Sequence, residues 1–256
     1  MNKVKITEPT QGVIELKLSR PSKLNAIDFE IMEELTGILH SLQSSKELRA
    51  IILVGEGEKA FCSGGDIEVF KSIKTRDEAY VMLSKIGEVL YQLMIFPLPT
   101  FAFLNGLALG GGCEIATACD FRIAKQGIKV GFIQGKLSIT TGWGGATLLH
   151  EKLTYDNAMS LLFSAKTISA EKAKELGFIT EIISEHAFIQ KAYEFMDQTL
   201  VNNSSVLRSY KAIKVDQWIK SNLYSRMMSE INGCAELWAS DDHHLAVEKF
   251  LSRNKN

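Results

Sequence analysis

The sequence predicts an α/β fold, and three observations carry that prediction. Ile51-Ile52-Leu53-Val54 sets four large apolar residues in a row, the pattern of a strand covered on both faces of a parallel sheet. Two strand-like segments run into glycine clusters, Gly64-Gly65 and Gly110-Gly111-Gly112, with a helical pattern after each. The last third of the chain then reads as successive helices. At 256 residues there is room for one large α/β domain or two small ones.

The elements follow in order. Val4–Ile6 and Val13–Leu18 alternate apolar with polar around Pro9-Thr10-Gln11-Gly12, which predicts a hairpin. Ser19 to Ala26 is a loop, and Asp28 caps a helix running to about Ser44 with an apolar face from Phe29 to Leu42. After the strand at 51–54, Asp66 caps the segment behind Gly64-Gly65. A long helix from about Arg76 to Phe96 stops at Pro97-Leu98-Pro99. On it Tyr80 and Lys85 are expected on a solvated face. Short strands follow at 120–124 and 129–132, then a loop from Gln134 to Gly145. Ser169 caps a helix that ends at Gly177, and 178–183 is the last strand. Helices are expected at 184–201, 204–218, 222–238 and 241–251, with no internal repeat and no low-complexity linker.

The stretch from Pro99 to Glu114 organises the rest. Three glycines let the backbone bend sharply and approach a ligand with no Cβ in the way. At a helix N-terminus, unpaired N–H groups and the helix dipole favour a developing negative charge. Glu114 lies three residues after Gly111, on the same helix face. Two readings fit: an anion hole beside an acid/base group, or a tight turn with a solvated glutamate. Gly64-Gly65 offers a second N–H for the same anion.

Bulk properties exclude several classes. A net charge of -1 leaves no electrostatic footprint for nucleic acid or an anionic membrane. No apolar segment reaches membrane-span length, and the first residues lack a signal-peptide core. Cys62, Cys113, Cys119 and Cys234 form no CxxC pair, so reduced thiols in a cytoplasm are expected. The histidines lack HExxH spacing, no metal site is expected, and His243-His244 is placed on an exposed helix. Residues 131–137 have too few residues between their glycines for a P-loop, and 110–112 is not GxGxxG.

Arg20-Pro21 with Leu24-Asn25-Ala26, Lys59 through Ile67, Asn105 through Glu114 with Cys119-Asp120, and Gly142-Trp143-Gly144-Gly145 fall in one order along the chain. So do Ile168-Ser169-Ala170 with Leu176-Gly177, and the tail Ala246-Val247-Glu248-Lys249. Together they resemble the crotonase (enoyl-CoA hydratase/isomerase) superfamily across nearly the whole chain. The resemblance implies a spiral of ββα repeats over 1–200 and a helical oligomerisation region over 201–256, commonly in a homotrimer or homohexamer. It implies acyl-CoA thioester substrates and no cofactor beyond the CoA carried by the substrate. The thioester oxygen would be held by the N–H groups of Gly65 and Gly111. Lys23, Leu24, Ala26, Ala60 and Ile67 would line the CoA channel, with Asp66, Leu107 and Trp143 also in the substrate-binding set.

The reaction is less determined. Hydratases of this family use two glutamates; Glu114 matches the first, while alignment back from Gly142 puts Gln134 at the second. A glutamine positions water but shuttles no proton, and an acid/base group is worth about 10²–10⁴-fold. Residues 118–122, 129–134 and 142–145 resemble the ethylmalonyl-CoA decarboxylase branch. Decarboxylation needs an oxyanion hole, a carboxylate pocket that Trp143 would wall, and a proton donor, here Glu114 with a raised pKa. Enoyl-CoA hydration or isomerisation stays open, with Gln134 then outside the pocket. A catalytically weak CoA-ester-binding scaffold is the third possibility.

Overall fold

A computed structural model describes residues 2–184 and 186–253. Met1, Glu185 within the expected 184–201 helix, and 254–256 at the end of the expected C-terminal region lie outside the described residues.

The chain opens with β1 (Val4–Thr10) and β2 (Val13–Leu18), an antiparallel hairpin turning at Gln11-Gly12. Pro9, expected in the turn, lies inside β1; an edge strand tolerates its missing N–H. Asp28 then caps α1 (Phe29–Leu42), its carboxylate accepting the Ile31 N–H at 3.1 Å. Next come β3 (Ala50–Gly55), β4 (Ala60–Cys62), α2 (Ile67–Phe70) and α3 (Arg76–Met94), the last begun by a Thr75–Glu78 capping box. Tyr80 and Lys85 on α3 lie against Arg76 and Phe29 respectively, outside the cavity described below.

A second unit follows as β5 (Thr100–Leu104), β6 (Leu107–Leu109) and α4 (Gly111–Ala118). The third is β7 (Phe121–Lys125), β8 (Lys129–Gly131) and, after a 3₁₀ turn at Gln134–Leu137, α5 (Gly145–His150). Each unit adds its first strand to a six-stranded sheet and its second to a four-stranded one. The sheet orders are β1-β2-β3-β5-β7 with β10 (Glu181–Ile183) at the end, and β4-β6-β8 with β9 (Ile168–Ser169). This is a ββα spiral although no repeat is visible in the residues. Strands β2, β3, β5, β7 and β10 pair in parallel, and β3 and β5 are buried along their whole length.

Between and beyond these strands lie α6 (Tyr155–Ser164), α7 (Ala170–Glu175) and α8 (Phe188–Thr199), then α9 (Ser204–Lys220), α10 (Leu223–Trp238) and α11 (Asp241–Arg253). The C-terminal helices share the main core. Met227, Ile231, Cys234 and Ala235 of α10 are buried with the α3 side chains. Lys211 on α9 reaches the Asp120 carboxylate before β7. His243 corrects the expectation of an exposed helix: it is 2% exposed, its Nδ1 meets the Leu137 carbonyl at 2.7 Å, and its ring lies 4.5 Å from that of Trp238. The four cysteines are free and buried, and burial pushes the Cys62, Cys119 and Cys234 thiols up to about 12. Among the described residues, no helix is long and apolar enough to cross a membrane.

Candidate active site

The two glycine turns meet. Gly64 has φ +103°, and a Cβ on it would stand 3.2 Å from the Gly111 nitrogen. Parallel pairing of Ile27 with Gly65 uses the Gly64 carbonyl and the Asp66 N–H, so the Gly65 N–H is left out of it. Gly111 is the first residue of α4, where an N–H has no intrahelical acceptor. Both glycines line one cavity of about 970 Å³ and flank Trp143, whose indole edge packs onto Gly111.

Glu114 lines the same cavity and is 1% exposed. Its Oε2 accepts two backbone N–H groups, from Trp143 and Gly145, each at 2.9 Å. Its Oε1 accepts Gln134 Nε2 at 2.7 Å. Burial pushes the carboxyl up to about 7; the Glu230 charge adds to the rise, and the three hydrogen bonds oppose it. The solvated-glutamate reading is thereby overturned. A carboxyl poised there holds or releases a proton near neutral pH.

Gln134 starts the 3₁₀ turn and lies at the cavity, so the alternative that placed it outside falls. Its Oε1 is buried without a hydrogen-bond partner. Toward the mouth, Lys23, Leu24, Ala26, Asp66, Ile67 and Leu107 all line the cavity. Asp66 is also held structurally: it caps α2 and pairs with Arg20 at 2.8 Å. Ala60 is the exception among the expected residues. It is buried in β4, away from the cavity lining, with its carbonyl accepting Asn25 Nδ2 at 2.8 Å.

Two sets of residues were not anticipated. Trp238 and five α11 residues, Leu245, Ala246, Lys249, Phe250 and Leu251, also line the cavity. Glu230 on α10 faces Glu114 from behind the 142–147 segment. Ala246 and Lys249 fall in the tail segment that carries the family resemblance, but nothing in the sequence placed that tail at the cavity, and no motif marks Glu230.

A parallel ββα spiral, two glycine amides at one cavity and a buried carboxyl beside them define an enzyme class that works on acyl-CoA thioesters. Residues 8–256 match the family model for enoyl-CoA hydratase/isomerase, and the chain belongs to that family, within the crotonase superfamily. It is 28% identical over 251 residues to a short-chain-enoyl-CoA hydratase of Clostridium acetobutylicum, covering 98% of this chain and 95% of the relative. It is 32% identical over 212 residues to an ethylmalonyl-CoA decarboxylase of Xenopus tropicalis, covering 82% and 71%. In fold it is similar to the crystal structure of an enoyl-CoA hydratase from Bacillus halodurans, with a TM-score of 0.87 at 22% identity over 96% of this chain and 99% of that one.

Proposed function

We propose that this enzyme decarboxylates a short alkylmalonyl-CoA. The observation that carries the reading is the 2.7 Å hydrogen bond from Gln134 Nε2 to Glu114 Oε1. It makes the group beside Glu114 a carboxamide, so the pair has one titrating member. Hydration asks for two proton-transfer roles; decarboxylation asks for one.

The steps balance with this chain's residues alone. The thioester oxygen takes the N–H groups of Gly65 and Gly111. The Cα–carboxylate bond breaks, CO₂ leaves, and its electron pair enters the enolate, whose oxygen charge those amides stabilise; losing one such donor typically costs about 3–4 kcal/mol of barrier. Two N–H donors fill the lone pairs of Glu114 Oε2, so the proton of the neutral carboxyl sits on Oε1. From there it passes to Cα, and water restores it. A carboxyl pushed up to about 7 keeps a large neutral fraction near pH 7, and in that form it does not repel the substrate carboxylate. The cavity wall of Phe70, Met82, Leu83, Ile139 and Trp143 offers that carboxylate no side-chain donor except the indole N–H, whereas neutral CO₂ loses little there.

The similarity to the decarboxylase relative supports the reading, and the near-full-length similarity to the hydratase favours enoyl-CoA hydration as the second one. The expected assembly is a homotrimer or homohexamer in a cytoplasm. The test is incubation with ethylmalonyl-, methylmalonyl- and crotonyl-CoA, followed by mass. Loss of CO₂ from the first two with crotonyl-CoA unchanged supports decarboxylation. Rapid water addition to crotonyl-CoA overturns it, and tight CoA-ester binding without any turnover points to a scaffold.

A further inference from the structure

Glu230 sits on α10, outside the cavity lining, yet it holds the backbone that holds Glu114. Its Oε1 accepts the Thr141 hydroxyl at 2.5 Å and the Ala146 N–H at 3.0 Å, and its Oε2 accepts the Thr147 N–H at 2.7 Å. These partners stand on either side of the 142–145 turn. Inside that turn are the two amides, Trp143 and Gly145, that converge on Glu114 Oε2. The opening N–H groups of α5 are thus divided between two carboxylates, Gly145 to Glu114 and the next two to Glu230. Helix α10 is itself fixed, with Met227 packed on Gly144 and Ile231 on Gly87 of α3.

We propose that Glu230 is a positioning residue for the proton donor, clasping the 142–145 turn from both ends so that the Trp143 and Gly145 amides aim at one oxygen of Glu114. The inference rests on the proton-donor reading of Glu114 given above. The clasp also has an electrostatic consequence. The titratable groups facing Glu114 are Cys113 on its own helix and Glu230 and Cys234 on α10. Burial pushes both thiols up, Cys234 to about 12, so they stay neutral. The Glu230 carboxylate is therefore the charge among these groups that resists ionisation of Glu114. It fixes the donor's geometry and helps keep the donor loaded.

The experiment compares wild type with Glu230→Gln, which is nearly isosteric and removes the charge. Infrared difference spectra across pH, without substrate, follow the protonated-carboxyl stretch that Glu114→Gln abolishes. The pH dependence of kcat is measured in parallel. Glu230→Gln is expected to lower the Glu114 midpoint by about one pH unit, and the alkaline fall in kcat moves with it. A midpoint and a kcat that both stay at the wild-type values in the folded variant overturn the positioning role. A midpoint that moves while the rate profile stays fixed supports the clasp and overturns Glu114 as proton donor. Should Glu230→Gln fail to fold, Glu230→Asp decides: its shorter side chain cannot span Thr141 and Thr147 together. It is expected to lower kcat at least fivefold at similar KM, and wild-type kcat with a wild-type midpoint overturns the proposal.

Discussion

The indole edge of Trp143 occupies the space that a side chain on Gly111 would fill. A Cβ built on Gly111 would lie 2.1 Å from both Cη2 and Cζ3 of that ring. Backbone amide and aromatic wall are therefore in direct contact, and neither moves without the other. Gly111→Ala must displace the ring or the start of α4. Overpacking of this kind costs about 1–3 kcal/mol of stability. Moving the amide off the enolate oxygen should lower kcat by about 10²–10³. Thermal melts and steady-state rates on the same variant check both; a variant with wild-type kcat would remove Gly111 from the hole.

Trp143 should also limit acyl size. Replacing it with Leu opens the wall beside Gly65 and Gly111 while keeping the site apolar. The ratio of kcat/KM for butylmalonyl-CoA to that for ethylmalonyl-CoA is expected to rise by about 10-fold or more, since one methylene in an apolar pocket is worth about 1–3 kcal/mol. An unchanged ratio would place the acyl group elsewhere.

Glu114 gives the pH dependence its sign. The donor must be protonated, and its carboxyl titrates near 7, so decarboxylation should be flat on the acid side and fall as pH rises through that value. Glu114→Gln should lose about 10²–10⁴ in kcat while keeping CoA-ester affinity. The same group enters stability. Its folded value lies above the ordinary 4.5, so its contribution is complete below 4.5 and is lost as pH rises through about 7. Melting temperature between pH 5 and 8 should therefore fall more steeply in wild type than in Glu114→Gln.

Asp120 joins the spiral to the C-terminal helices. Lys211 on α9 pairs with it, and Lys152 also faces it; burial raises the Asp120 value, but these two lysines and the Thr100 N–H hold it below its ordinary range. Asp120→Asn leaves the buried Lys211 ammonium without its anion and should destabilise by about 3–5 kcal/mol, read from denaturant unfolding. Because the folded value is depressed, this contribution is present above about pH 4 and lost as pH falls through the folded value.

What was legible in the sequence was local. Ile51 to Val54 announced a covered strand by composition, Asp28 and Ser169 marked helix starts, and both glycine turns were readable because no other residue allows that approach. The ββα repetition was not legible: topology sets it, and β4 and β9 have only three and two residues in which to show a period. His243 looked like a surface residue because its partners, the Leu137 carbonyl and the Trp238 ring, are brought to it by tertiary packing. Glu230 was invisible for the same reason, acting on amides more than 80 positions away. Ala60 followed the motif around it, yet its backbone is used to hold Asn25.

The central claim is that the carboxamide of Gln134 sets the reaction by leaving Glu114 as the single titrating group of the pair. The most direct measurement is crotonyl-CoA hydration and ethylmalonyl-CoA decarboxylation, followed side by side in wild type and Gln134→Glu. The expected result is a wild type that releases CO₂ and hydrates poorly, and a variant that gains hydration by about 10²-fold or more while losing decarboxylation. A wild type that hydrates crotonyl-CoA rapidly, or a variant with both rates unchanged, would contradict it.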